Sequence, residues 1–147
     1  MQSLNLWIQR SGESDPDTVE SEPRTQRPLL KFVVLNSKGG CGKTTLSTSL
    51  AAYYAARGYH TALLDTDPQG SSLRWLANRG DRKPAITGLT GYDRSGRVTK
   101  SFLMRVPPET ERLIVDTPAA MDPLKLQDVT RGDRKSTRLN SSHGIIS

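Results

Sequence analysis

A glycine-rich segment between an apolar run and a helix-forming run constrains this fold more than any other feature. The apolar run covers residues 29–36, the glycine-rich segment residues 37–45 (SKGGCGKTT), and the helix-forming run residues 43–57. Glycine permits the backbone angles and the close approach that a bound phosphate requires. A helix that starts at this point adds free amide groups and the positive end of its dipole. The segment therefore predicts a phosphate-binding loop between a buried strand and a helix.

Individual residues of this loop have distinct expected roles. Gly39, Gly40 and Gly42 allow the backbone amides to turn inward. Lys43 can reach β- and γ-phosphate oxygens, and the Thr44 hydroxyl can ligate Mg²⁺. The commonest loop pattern has glycine at position 37, where this chain has serine. The loop therefore departs from that pattern.

Strand and helix patterns alternate along the rest of the central region. Strands are predicted within residues 60–66, 84–92 and 112–116, and helices within residues 71–78 and 100–105. Strands separated by helices imply right-handed crossovers, and therefore an α/β fold with a parallel sheet flanked by helices. Ligands bind at the carboxyl ends of the strands in such sheets.

Acidic residues lie at two of these strand ends. Asp116 ends the last strand, where a carboxylate can hold a water of a Mg²⁺ shell, or can simply face solvent. Asp65 and Asp67 lie two residues apart, so both project to the same side if the strand continues through them. Asp67 precedes Pro68, so a turn-forming role without catalysis is the alternative for this residue.

Three motifs in order resemble those of the ParA/MinD ATPases. They are KGGCGKTT at residues 38–45, DTDPQG at residues 65–70 and LIVDTP at residues 113–118. Lys38 matches the lysine that distinguishes the deviant Walker A motif of this family, and the DPQG element is similar to the ParA branch. The resemblance extends from about residue 29 to residue 131. It implies a P-loop sheet of seven or eight strands, of which about four are present.

The resemblance also implies roles for the site residues. Lys38 would cross a dimer interface to the partner's phosphates, although an exposed solubilising lysine is the alternative. Asp67 would orient the attacking water, whereas Asp65 and Asp116 would support Mg²⁺ together with Thr44. Lys38, Lys43 and Asp67 are thus the expected catalytic residues. The expected nucleotide-binding residues are Lys38, Gly39, Gly40, Cys41, Gly42, Lys43, Thr44 and Thr45.

The function implied by the resemblance is ATP-driven DNA partition in the cytoplasm, on the nucleoid. ATP and Mg²⁺ would hold a sandwich homodimer on non-specific DNA, and a ParB-like centromere-binding protein would stimulate hydrolysis. A ParA-like ATPase that positions a non-DNA cargo, or a regulatory module that selects partners by its ATP state, is the alternative. In the form given, the chain could also be a fragment without function.

Charge and composition narrow these possibilities. No apolar run reaches the roughly 18 to 20 residues of a membrane span, and the single cysteine, Cys41, excludes an internal disulfide framework. Residues 74–105 carry eight basic and two acidic side chains. This excess is typical of a surface that contacts an acidic polymer, and equally of solvated helix faces. Trp75 could stack on a base, but packing under its helix is the stronger expectation.

The chain divides into three parts. Residues 1–28 are predicted to be a disordered polar extension, and residues 29–132 the N-terminal part of the ATPase domain. Residues 133–147 match a translated sequencing-library adapter, codon by codon over residues 133–143, and are interpreted as an artefact. The natural protein is therefore expected to continue beyond residue 132. An incomplete sheet would leave the apolar faces of its last strand exposed.

Overall fold

The computed structural model describes residues 5–10, 27–35, 42–99, 104–119, 121, 122 and 124 of the 147-residue chain. Five strands and two helices lie in this part of the chain. In chain order they are β1 (Asn5–Arg10), β2 (Leu30–Leu35), α1 (Lys43–Ala56), β3 (Thr61–Asp65), α2 (Ser71–Ala77), β4 (Thr87–Thr90) and β5 (Arg112–Asp116). None of the described helices combines the length and the apolar character needed to cross a membrane.

The strands form one sheet in the order β1-β2-β5-β3-β4. Strands β2, β5, β3 and β4 are parallel, which confirms the predicted α/β architecture. Because they are parallel, their carboxyl ends meet at one edge of the sheet. Asp116 at the end of β5 pairs in register with Val34 of β2 on one side and Asp65 of β3 on the other.

Alternate residues of the central strands face opposite sides of the sheet, and each side has its own core. Both helices cover the same face of the sheet. The connections from β2 to β3 and from β3 to β4 cross the sheet in the same direction, and right-handed connections in one direction place their helices on one face. This core contains Phe32, Leu63 and Ile114, with Ala51 of α1 and Trp75 of α2. The opposite face is packed by Val33, Leu64, Val115, Val98 and Val106. Trp75 thus packs against the core, as predicted.

A glycine with a left-handed backbone angle follows each helix. Gly58 follows α1 with φ of 80° and donates its N–H to the Ala55 carbonyl at 3.0 Å. Gly80 follows α2 with φ of 44°. Such angles are costly for residues with a Cβ atom, so Gly58 directly follows the cap of α1, whereas α2 ends at Ala77 with Asn78 as its cap, two residues before Gly80. Of the predicted helix over residues 100–105, residues 100–103 lie outside the described residues, and Met104 and Arg105 lie in a 3₁₀ turn.

Two expectations about the edges of the domain are wrong. The extension predicted to be disordered over residues 1–28 includes strand β1, which pairs antiparallel with β2 from Asn5↔Leu35 to Arg10↔Leu30. Strand β5 is not exposed, since it lies between β2 and β3 and since Leu113, Ile114 and Val115 are at most 1% exposed. Strand β5 is buried because it pairs with β2 and β3, which are not its neighbours in the sequence. The order of the motifs along the chain does not show which strands are adjacent in the sheet.

Candidate nucleotide and magnesium site

The segment predicted to bind phosphate ends in the first turn of helix α1. Four of its predicted residues, Lys38, Gly39, Gly40 and Cys41, lie outside the described residues. Gly42 caps the helix with φ of 86°, and its carbonyl accepts the first helical hydrogen bond, from the Leu46 N–H at 2.9 Å. Lys43, Thr44 and Thr45 therefore form the first turn of α1, where the free amides and the helix dipole favour an anion.

Helix α1 holds the strand-end carboxylate through two hydroxyl groups. Thr44 Oγ1 donates to Asp116 Oδ2 at 3.0 Å, and Ser47 Oγ donates to Asp116 Oδ1 at 3.2 Å. Thr44 and Ser47 are three residues apart, so they lie on one face of the helix. Thr44 and Asp116 were predicted from the sequence, whereas Ser47 was not. Its spacing from Thr44 on a predicted helix is the signal that could have found it.

The backbone around Asp116 is fixed from both neighbouring strands. The N–H and Oγ1 of Thr66 donate to the Asp116 carbonyl at 2.9 and 2.8 Å. The next residue, Thr117, donates its hydroxyl to the Val34 carbonyl at 2.7 Å. Thr66, Asp116 and Thr117 are all buried. The carboxylate of Asp116 is therefore presented by a rigid strand end rather than by a loop.

Asp65 and Asp67 occupy different environments, because the strand whose continuation would have projected both to one side does not extend to Asp67. Strand β3 ends at Asp65, which is fully buried. Its Oδ1 accepts the Asp67 N–H at 3.0 Å, and its Oδ2 accepts the Leu73 N–H at 3.3 Å. Asp67 is half-buried, and its Oδ1 accepts the Gln69 N–H at 3.0 Å. Both carboxylates thus stabilise the turn that leads into α2. The bond from the Gln69 N–H to Asp67 is the turn-forming role that was considered as the alternative for this residue.

Burial raises the pKa of Asp116 above its ordinary value of 3.8. The hydrogen bonds from Thr44 and Ser47 oppose this rise, whereas the neighbouring Asp65 carboxylate increases it. Two carboxylates in register at one sheet edge disfavour a second negative charge. A cation bound beside them would remove this penalty.

The donor set at this edge fits Mg²⁺. The ion prefers hard oxygen ligands such as hydroxyl and carboxylate groups, and it usually retains waters and substrate phosphates in its shell. Thr44 and Asp116 supply these oxygen atoms next to the loop, with Asp65 beside them. Thr44 would hold the ion directly, and Asp116 would hold it through water.

The basic side chains that the structure describes within residues 74–105 do not form one patch. Arg82 and Lys83 are exposed before the start of β4, whereas Arg94, Arg97 and Arg105 are exposed beyond its end. The two groups therefore lie at opposite ends of the sheet. Arg79 packs over the Trp75 ring, with its guanidinium 5.6 Å from the ring centroid. This distribution is that of solvated surfaces more than of a single groove for DNA.

Comparison with known proteins agrees with the site. The chain is 28% identical over 162 residues to the putative replication protein A of Sinorhizobium fredii, covering 99% of this chain and 40% of that protein. It is 39% identical over 100 residues to the maintenance of carboxysome distribution protein A of Gloeobacter kilaueensis, covering 67% and 43%. It is 36% identical over 92 residues to the chromosome-partitioning ATPase Soj of Treponema pallidum, covering 62% and 33%.

The chain spans about two fifths of the length of the first two of these relatives. The CobQ/CobB/MinD/ParA nucleotide-binding domain matches residues 32–135, which is more than two thirds of the chain. This match contains the loop, both strand-end acids and the turn between β3 and α2. The chain therefore belongs to the CobQ/CobB/MinD/ParA nucleotide-binding family, as the three sequence motifs predicted.

Proposed function

We propose that this protein binds ATP with Mg²⁺ at the carboxyl edge of the sheet and hydrolyses it. The hydrogen bond from Thr44 Oγ1 to Asp116 Oδ2 carries the proposal, because it joins the phosphate-binding loop to the strand-end acid in one site. The glycine at the start of α1, the buried acid pair and the family match agree with it.

Each residue of the site has a part in this mechanism. The loop amides and the start of α1 bind the phosphates, and Lys43 places its ammonium group against the β- and γ-phosphates. Bound Mg²⁺ would offset the negative charge that develops on the transferred phosphoryl group. Asp67 accepts the Gln69 N–H through Oδ1 and can position the attacking water through its carboxylate. Lys38 would supply positive charge to the partner's nucleotide, which couples hydrolysis to dimerisation.

The cellular role that we propose is DNA partition. In this role, the ATP-bound homodimer binds non-specific DNA on the nucleoid in the cytoplasm, and a ParB-like protein stimulates hydrolysis and release. Support comes from the similarity to chromosome-partitioning ATPases named Soj and from the Asp-Pro-Gln-Gly element at residues 67–70.

A second role is positioning of a non-DNA cargo. The similarity to a protein named for maintenance of carboxysome distribution favours this alternative, at 39% identity over 100 residues. Both roles use the same ATP cycle, so the site does not separate them. They differ in the partner that stimulates hydrolysis.

Nucleotide titration tests the ATP site. In the full-length natural protein that carries this sequence, Lys43→Ala should weaken ATP binding by at least about 100-fold, because several charge-assisted contacts to phosphate are lost. Thr44→Ala should retain ATP binding but lose its Mg²⁺ dependence. Lys83→Ala, which changes an exposed lysine away from the site, is the matched control. ATP affinity retained in Lys43→Ala would overturn the site.

A segregation assay separates the two roles. A strain whose copy of this gene carries Lys43→Ala should lose a plasmid or chromosome at an increased rate if the role is partition. Normal segregation together with a mislocalised protein cargo would support the positioning role instead.

A further inference from the structure

The chain that follows β4 folds into a hairpin against the end of β3. This hairpin covers residues 91–99 and contains one antiparallel bridge. At its base, the Thr99 N–H donates to the Gly91 carbonyl at 3.0 Å. The Gly91 N–H in turn donates to the Asp65 carbonyl at 2.8 Å. The hairpin is therefore attached to the last residue of β3, although it lies outside the three sequence motifs.

The hairpin packs against the turn that carries Asp67. A Cβ atom at Gly96 would lie only 3.3 Å from Cγ of Pro68, the residue that follows Asp67. A Cβ atom at Gly70, where the turn ends, would lie 3.4 Å from the hydroxyl oxygen of Tyr92. Because both positions are glycine, the two backbones can approach each other closely. The hairpin therefore supports the turn near its start and at its end.

One carboxylate fixes the part of the hairpin that meets Pro68. Oδ1 of Asp93 accepts the N–H groups of Ser95 and Arg97 at 2.8 and 3.0 Å, and the Ser95 hydroxyl at 2.6 Å. Gly96 lies between these two residues, and its N–H donates to the Asp93 carbonyl at 3.0 Å. The position of Gly96 against Pro68 therefore depends on the side chain of Asp93.

We propose that Asp93 is a positioning residue for ATP hydrolysis. Its carboxylate holds the tip of the hairpin, the tip supports Pro68, and the turn at Pro68 sets the position of the Asp67 carboxylate. Asp93 acts through this turn rather than on the nucleotide. The inference rests on the proposed ATPase function and deepens it, since it assigns part of the hydrolysis rate to a segment outside the three motifs.

The test separates ATP turnover from ATP affinity in the full-length natural protein. Asp93→Ala should lower kcat by about 10-fold or more, because misplacing a catalytic group by about 1 Å can cost about 100-fold. ATP affinity should be unchanged, because the expected phosphate contacts come from α1 and the loop before it. Asp93→Asn should restore kcat, since the amide oxygen accepts the same N–H groups. The matched control is Asp81→Ala, which removes an exposed carboxylate from the loop after α2 and should behave as wild type.

Thermal unfolding without nucleotide separates positioning from a general loss of structure. Asp93 is exposed, so the Tm of Asp93→Ala should stay close to that of wild type. A wild-type kcat in Asp93→Ala, an equal loss in Asp93→Asn or Asp81→Ala, or a Tm low enough to unfold the variant in the assay would overturn the inference. A loss of ATP affinity as large as the loss of kcat would also overturn it. Wild-type protein that does not hydrolyse ATP would instead overturn the proposed function, and this inference with it.

Discussion

Charged side chains are buried at both ends of the sheet, but the groups that surround these charges differ. At the amino end, Glu111 is 2% exposed, and its Oε2 accepts the His60 N–H at 2.9 Å. Its other oxygen lies 3.7 Å from the Arg27 guanidinium. Arg112 packs over Tyr59, 4.0 Å from the ring centroid, and over Tyr54 at 5.4 Å. Acid, cations and aromatic rings are combined at this end.

At the carboxyl end, two acids lie side by side. Asp65 and Asp116 are register partners on adjacent strands, and hydroxyl and amide groups donate to them. Burial and the proximity of Asp65 raise the pKa of Asp116. The amino end thus places cations beside its buried acid, whereas the carboxyl end holds two neighbouring acids whose mutual repulsion a bound cation would relieve.

The largest effect is expected from two residues of the proposed nucleotide site. Lys38→Ala should bind ATP but fail to form the ATP dimer, because the charge donated across the interface is lost. Asp67→Ala should dimerise and hydrolyse ATP slowly. Sedimentation with ATP and a phosphate-release assay measure the two properties. An ATP dimer of normal strength in Lys38→Ala would exclude the trans-acting lysine.

A smaller effect, confined to stability, is expected at the amino end. Arg112→Ala removes the contacts with two tyrosine rings and the bond from Nη1 to the Glu111 carbonyl at 2.7 Å. The expected loss is about 2 kcal/mol of unfolding free energy, from typical cation–π and hydrogen-bond contributions. Denaturant unfolding measures it, and ATP affinity should stay unchanged. If Arg112→Ala bound ATP more weakly without losing unfolding free energy, the assignment of different roles to the two ends of the sheet would be wrong.

The smallest effect is an increase in stability. Folding raises the pKa of Asp116, so the folded state binds the proton more tightly, and stability falls as pH rises from 3.8 through the raised value. Asp116→Asn keeps a polar partner for Thr44 and Ser47 without the charge. The nucleotide-free variant should therefore be more stable than wild type at neutral pH, with a smaller difference at pH 3.8, the ordinary pKa of the carboxyl group. Urea unfolding at both values checks this, and an equal or larger gain at the lower pH would contradict it.

The parts of the site that the sequence predicted are those with local patterns. Gly42, Lys43 and Thr44 follow a buried strand, and Asp116 ends one, so motif and strand pattern were sufficient to bring them together. Ser47 escaped prediction because its spacing from Thr44 shows only that both residues lie on one face of a helix, and not which strand end that face meets. Only the packing of α1 on the sheet brings this hydroxyl to Asp116.

The edge of the sheet could not be predicted for a related reason. Strand β1 pairs antiparallel with β2 across a connection of many polar residues, residues 11–29. Local composition there favours disorder, and strand pairing is decided by tertiary contacts instead. The parallel strands, in contrast, are separated by helices or by long crossovers whose pattern is visible in the sequence.

The response of thermal stability to Mg²⁺ and ATP tests the contrast between the two ends most directly. A ligand that binds only the folded state at 100 times its Kd stabilises it by about 2.7 kcal/mol. In the full-length natural protein, Mg²⁺-ATP should raise the Tm of wild type and of Arg112→Ala by similar amounts, although the variant starts lower. The increase should be much smaller for Asp116→Asn, although this variant starts higher. An Asp116→Asn protein that gains as much as wild type would contradict the assignment of the carboxyl end as the Mg²⁺-ATP site.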